Sequence, residues 1–259
     1  MFRRQRHTLV RIAFVTATVA LAGVTAPARQ AQLPTGRAIA DRFVEAIGGA
    51  AAYRAVSSMR ATGTFEMPSQ GITGTIDVMS SRPSFVRLKA DITGVGMIER
   101  GFDGKVGWSM DPFAGPALLT GRQLQELMDD SLFDAPLHPA DSLKELTTVE
   151  QTTFDGQQAY KVKVVFVSGT EQFEYFSLET GLLIGSEGSR EMPGGGLVPR
   201  VSFLRDYKSF GALKQPTTLV QQTLGIEQVL TIAKYDYAPI APSAFVPPAE
   251  VQALIKGGR

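Results

Sequence analysis

From Ser57 onward the hydrophobic period of the chain drops to two, and the runs that carry it are separated by turns too short for any crossover. Met59, Ala61, Gly63, Phe65 and Met67 alternate with Ser58, Arg60, Thr62, Thr64 and Glu66, the pattern of a strand with one buried and one wet face. Ile72, Ile76 and Val78 share a face of the next run. Val86, Leu88, Ala90 and Ile92 share a face of the run after it, opposite Phe85, Arg87, Lys89 and Asp91. Only Ser69-Gln70-Gly71 and Arg82-Pro83 join these runs, so they are consecutive antiparallel strands. Asp103-Gly104 is a further hairpin dipeptide, and it puts Val106, Trp108 and Met110 on one face of the returning strand. Pro112, Gly115 and Pro116 are expected to end this first meander.

A second meander is expected over residues 146–237, with turn signals at Asp155-Gly156, Ser168-Gly169, Thr180-Gly181, the Pro193 to Gly196 loop, Gly211 and Gly225. The sum is about eleven strands at a spacing of about 8 to 12 residues, which points to one strongly curved sheet or a barrel. Helical periodicity precedes it: Thr35 is positioned as an N-cap, Ile39, Phe43, Val44 and Ile47 form a stripe, and Gly48-Gly49 stops the helix. Between the meanders Leu124, Leu127, Met128 and Phe133 make a second apolar stripe over residues 121–133, and residues 136–146 add a turn or two. A closed barrel of this strand number would enclose a lumen too wide for its own side chains to fill. The two central helical segments are the available covers.

The absence of cysteine among 259 residues excludes disulfides, thiol nucleophiles and an acylated lipobox. Arg3, Arg4, Arg6 and Arg11 precede an apolar run from Ile12 to Ala26, and Ala26-Pro27-Ala28 fits a small-residue cleavage site. Residues 1–28 therefore read as an export signal, with one domain over residues 29–259 in the periplasm. Retention of that run as an anchor is the alternative, but it is short of the roughly 20 apolar residues of a spanning helix. Cleavage removes four arginines and no acid, leaving 22 basic and 25 acidic residues, net −3. Lys and Arg are scattered singly, with no basic stretch for a nucleic acid.

Five stretches then carry a resemblance by their order and spacing: "ADRFVEAIGGAAAYRAVSSMRATGTFEM", "FDGKVGWSMDP", "FEYFSLETGLLIG", "GALKQPTTL" and "APSAFVPPAE". Together they resemble the exported outer-membrane lipoprotein-sorting (LolA/LolB-like) superfamily, over most of residues 29–259. The resemblance implies a mainly β, α+β fold: a half-open antiparallel β-barrel with an N-terminal helix and a central helical lid. It also implies a monomeric periplasmic carrier of the acyl chains of lipoproteins or other lipids, served by membrane-bound donor and acceptor proteins, with no cofactor, metal or catalysis. The chain departs from the better-known carriers in its length and in the acidic loop from Asp129 to Asp141.

The expected lumen and lid residues are Phe65, Ile76, Val78, Val86, Leu88, Val106, Trp108, Met110, Leu127 and Met128, with Arg60, Arg87 and Arg100 as polar contacts at the rim. For Trp108, the only tryptophan, two roles stay open, a cavity wall and a packed core. Met59, Met67, Met79, Met97, Met110 and Met128 supply flexible thioethers of the kind that suits adaptable walls. His138 lies among Asp129, Asp130, Asp134 and Asp141, but without paired ligand spacing, so caps and solvated loop residues account for the cluster. No nucleophile elbow, phosphate loop or paired catalytic carboxylates stand out. Lipid carriage is the first functional expectation. A non-catalytic envelope protein-interaction module using the same concave sheet is the alternative.

Overall fold

The computed structural model describes residues 32–192 and 195–257, so the expected export segment, residues 1–28, lies outside the described residues. Helix α1 (Gly36–Ala46) starts where Thr35 Oγ1 accepts from the Ala38 N–H, and helix α2 (Ala50–Arg54) follows. The first meander is β1 (Ser58–Met67), β2 (Ile72–Ser81), β3 (Phe85–Ile92), β4 (Gly96–Phe102), β5 (Gly107–Asp111) and β6 (Gly115–Leu118). Helix α3 (Gly121–Ser131) and two short 3-10 turns, Ala135–Leu137 and Ala140–Ser142, lead into the second. That meander comprises β7 (Leu143–Phe154), β8 (Gln157–Phe166), β9 (Glu171–Ser177), β10 (Leu183–Glu191), β11 (Leu197–Arg205), β12 (Lys208–Phe210), β13 (Leu213–Gln215), β14 (Thr218–Thr223) and β15 (Ile226–Asp236). The 3-10 turn Pro242–Phe245 and helix α4 (Ala249–Gly257) close the described chain.

Thirteen strands form one antiparallel sheet in the order β6-β5-β4-β3-β2-β1-β15-β14-β11-β10-β9-β8-β7, while β12 and β13 pair separately. The sheet is open, since β6 and β7 are edges that do not pair with each other. The strand number exceeds the expected eleven, and three boundaries differ from those read in the sequence. Asp111 Oδ1 accepts from the Phe113 and Ala114 N–H groups and turns the chain into β6, where Pro116 is tolerated because the strand is an edge. The second meander also breaks at Asp206, where no turn signal stands in the sequence and the residue takes positive φ. Residues 143–146, expected in the second helical segment, belong instead to β7, paired with β8.

Curvature follows from a length argument. Gln123 of α3 contacts both limbs of the sheet: its carbonyl accepts from Arg100 of β4 at 3.4 Å, and its Nε2 donates to the carbonyl of Met192, just past β10, at 3.2 Å. Seven strand steps separate β4 from β10, roughly 34 Å if flat at about 4.8 Å per step, whereas α3 is only about 16 Å long. The sheet must therefore fold around α3, and the face that α3 occupies is the inner one.

Register then assigns every side chain to a face. Val86, Leu88, Ala90 and Ile92 of β3 lie opposite Phe102, Arg100, Ile98 and Gly96 of β4, and Ser109 of β5 continues that row from Arg100. Gly107 on the same face makes the slot for α3, because a Cβ there would come within 2.7 Å of Leu124 Cδ1 and 3.1 Å of Leu127 Cδ2. Trp108 and Met110 have the opposite parity and lie on the outer face with Arg87, Gly101 and Glu99, so the expected inner-face grouping of Trp108 and Met110 with Val86 and Leu88 is corrected. Alternation could not tell the faces apart because both are buried here. The C-terminal segment covers the outer one: Arg87 Nη1 donates to the Ala244 carbonyl at 2.8 Å, Phe245 packs on Phe85, and α4 lies against β6. Trp108 is fully buried, and its role is structural packing.

Three clusters make the core. Ile39, Phe43 and Ile47 of α1, Tyr53 and Phe133 pack on Val162, Val164 and Phe176 of the inner face. Ala61, Ile76, Ala90, Ile92 and Ile232 fill the inner face of the first meander. Phe154 stacks on Tyr175 and Phe203, with ring centroids 4.0 and 5.3 Å apart, on the outer face of the second.

The Trp108 ring occupies the space a side chain would take at Gly101, with Cη2 2.7 Å from an added Cβ. Gly101→Ala is expected to cost about 1–3 kcal/mol by overpacking, a loss of several degrees in thermal midpoint. In a Trp108→Leu background, itself destabilised, the same substitution should cost under about 0.5 kcal/mol; additive costs would show that the ring is not the obstacle.

Candidate functional site

The hydrogen bonds of residues 132–139 fix the floor of the site. Phe133 donates its N–H to the Pro83 carbonyl at 3.0 Å and accepts from the Tyr53 hydroxyl at 2.8 Å. The Asp134 carboxylate takes three guanidinium bonds from Arg82, whose cation also sits 4.9 Å from the Phe133 ring centre. His138 Nε2 meets Glu174 Oε2 at 2.7 Å with both side chains buried, and Nδ1 lies 3.2 Å from the Pro136 carbonyl. Arg37 of α1 donates to the His138 carbonyl at 2.8 Å. This crossing segment is thus tied to α1, α2, the β2–β3 turn and β9.

Between the crossing segment, α1, α3 and the inner face lies a cavity of about 480 Å³, within the range of about 300–1,000 Å³ typical of small-molecule sites. Its body is apolar, built by Phe43, Met59 and Phe133 on one side and by Val164, Phe166, Leu183, Leu204 and Leu219 of the sheet on the other. Its other end is charged: Glu126, Asp129 and Asp130 come from α3, and Arg190 and Arg200 from the facing strands. Arg190 bridges to Asp130 at 3.1 Å and Glu126 at 3.8 Å, and Glu126 also accepts from the Glu191 N–H and from Arg122. α3 is therefore attached to β10 through the part-exposed Arg190–Asp130 pair and the buried Glu126, and to β5 through Leu124 and Leu127 over Gly107.

None of the ten residues singled out from the sequence lines this cavity. Phe65, Ile76, Val78, Val86 and Leu88 are on the inner face of the neighbouring limb, and Phe65, Val78, Leu88 and the cavity residue Leu219 all pack against one cluster, so the apolar surface is continuous. Leu127 is buried beneath α3, Met128 is exposed on it, Val106 stands in the turn before β5, and Trp108 and Met110 are on the outer face. Of the rim arginines, Arg60 pairs with Asp77 and Arg87 with Glu99, both on the outer face, while Arg100 points inward. The acidic loop does not converge on His138: Asp134 holds Arg82, Asp130 holds Arg190, and Asp129 accepts from Ser168. Among the described residues no three such donors come together.

Sequence reasoning missed Arg200 and Glu174. Along β11 the apolar residues Val201 and Phe203 read as the buried face, which would turn Arg200 outward, but they pack beneath Phe154 on the outer side. The inner face here is the one that carries Arg200, Ser202 and Leu204.

Burial opposes charge on the His138 imidazole, but the Glu174 carboxylate, by charge and hydrogen bond, together with the Pro136 carbonyl, holds its pKa above the ordinary value. A raised folded pKa contributes stability that is fully present below the unfolded value near 6.5 and is lost as pH rises through the folded one. The thermal midpoint should therefore fall between pH 6 and pH 9 more steeply in the wild type than in His138→Gln; equal slopes would contradict the pairing.

No family model matches the sequence, and no curated protein matches it. Solved structures do. A LolA superfamily protein from Nitrosomonas europaea superposes with a TM-score of 0.55 at 13% identity, covering 83% of this chain and 99% of that one. A DUF1329 family protein from Desulfovibrio piger gives 0.57 at 11%, covering 83% and 97%. The resemblance carried by the five stretches thus extends to the backbone, and the chain is a diverged example of the LolA-like fold.

Proposed function

We propose that the chain is a carrier of the cell envelope, exported by residues 1–28, that holds an acyl chain of a lipoprotein or another lipid beneath α3 and acts by binding rather than catalysis. The cavity carries this reading: an apolar body with a charged end, continuous with the apolar inner face of β1–β3. The tail would lie among Val164, Leu183, Leu204 and Leu219, and a longer one would extend along Phe65, Val78 and Leu88. Each buried methylene is worth about 0.8 kcal/mol, part of which is offset by ordering of the ligand and of α3.

In this reading α3 is the lid. Its ties to β10 are the part-exposed Arg190–Asp130 pair, worth little, and the buried Glu126, which accepts from the Glu191 N–H, whereas the crossing segment is held by several buried bonds to α1, α2 and β9. Thr120 and Gly121 at one end, Gly121 with positive φ, and Leu132 at the other bound the moving element. Release then requires an acceptor that buries the chain at least as well.

Leu204→Glu or Leu219→Glu should weaken binding of a fluorescent C16 fatty acid at least about tenfold, because a carboxylate would then line the tail site. Thr64→Glu, at an exposed outer position, should stay within about twofold. Equal affinities for folded inner-face and outer-face variants would contradict the cavity as the site. A stoichiometric envelope protein bound with no lipid would favour the interaction-module reading.

A further inference from the structure

We propose that Arg100 and Arg200, reaching the inner face from opposite limbs of the sheet, form a subsite for the oxyanion of an amphiphile, a carboxylate or phosphate, whose tail lies in the cavity. The inference rests on the carrier reading above and adds the chemical class of the head group.

The observation is a pair of arginines under α3 that have no direct ion-pair partner among the described residues. Arg100 and Arg200 both have inner-face parity, and Arg100, Arg190, Arg200, Glu126 and Asp130 lie within one another's fields. The three acids of α3 are already engaged, Asp130 by Arg190, Glu126 by Arg122, Arg190 and the Glu191 N–H, and Asp129 by the Ser168 hydroxyl. Arg100 has only a long 3.4 Å bond to the Gln123 carbonyl, and its Nε is buried with no partner. Arg200 makes no ion pair among the described residues. Burial, with the neighbouring Arg190 and Arg200 cations, pushes the Arg100 guanidinium down to about 10, and burial lowers Arg200 as well. A part-buried cation without a direct ion pair is costly to desolvate, and removing water from two of them on one wall is costlier still. An incoming oxyanion relieves both.

The chemistry is selective. Guanidinium forks match the planar carboxylate and the phosphate oxygens through paired N–H bonds, which an ammonium cannot reproduce. Arg200 also lines the cavity that receives the tail, so head and tail sites share a wall.

Calorimetric titration of the protein with dodecyl phosphate, 1-dodecanol and inorganic phosphate tests this. The wild type should bind dodecyl phosphate at least roughly tenfold more tightly than dodecanol, and inorganic phosphate far more weakly than either. Arg100→Gln and Arg200→Gln should each weaken dodecyl phosphate roughly tenfold and leave dodecanol within about twofold, with unliganded thermal midpoints no lower than wild type, since each change removes a part-buried cation that has no ion pair. Equal affinity of the wild type for the two amphiphiles overturns the subsite and leaves the carrier reading intact, and needs no variant. A head-group preference that survives in the double variant also overturns it. Inorganic phosphate binding as tightly as dodecyl phosphate overturns the lipid source in favour of a free anion. Failure of both amphiphiles to bind overturns the subsite and the carrier reading together.

Discussion

An antiparallel sheet that curves without closing has an apolar inner face that its own strands cannot cover, and here residues 119–142 cross that face between the two edge strands β6 and β7. One part is fixed: the crossing segment binds Pro83, Tyr53, Arg82, Glu174 and Arg37 through buried or part-buried bonds. The other part, α3, spans from Gly107 of β5 to Arg190 of β10 and relies on two leucines, the part-exposed Arg190–Asp130 pair and the buried Glu126. The space left between the helix, the crossing segment and the sheet is the cavity, so the geometry that keeps the sheet open also creates the candidate site.

The open edges are protected by ordinary means. β6 is short and contains Pro116, and α4 packs against it. β7 is long, but its pairing with β8 shifts register twice, between Leu143 and Glu145 and between Thr148 and Glu150, and it carries Lys144, Glu145 and Glu150. Bulges and charges of this kind discourage a neighbouring chain from adding a strand.

Strands β1 to β5, their antiparallel order and the inner faces of β2 and β3 were legible in the sequence because turns such as Ser69-Gln70-Gly71 allow no other connection, and one wet face gives clean alternation, whereas β6 lies where prolines and glycine read as an end. The helix from Thr35 was legible through its cap and stripe. Facing failed where both sides are buried. Trp108 is apolar and alternating, but the residues that cover it, 242–257, lie far along the chain, and no local pattern announces them. The same ambiguity hides Arg200, since Val201 and Phe203 have their own outer cluster. Of the site itself the sequence offered the helical cover and Arg100. The cavity walls come from strands that are neighbours only after the sheet has curved, a long-range fact that no period of two contains.

The central claim, that the cavity beneath α3 holds an acyl chain, is tested most directly by native mass spectrometry of the protein purified from its own cells without detergent, followed by organic extraction. The account predicts discrete added masses that extract as acylated molecules, and that a Leu204→Glu variant purified the same way carries little or none. A clean unliganded mass that stays unchanged on incubation with lipids and acylated peptides would contradict it.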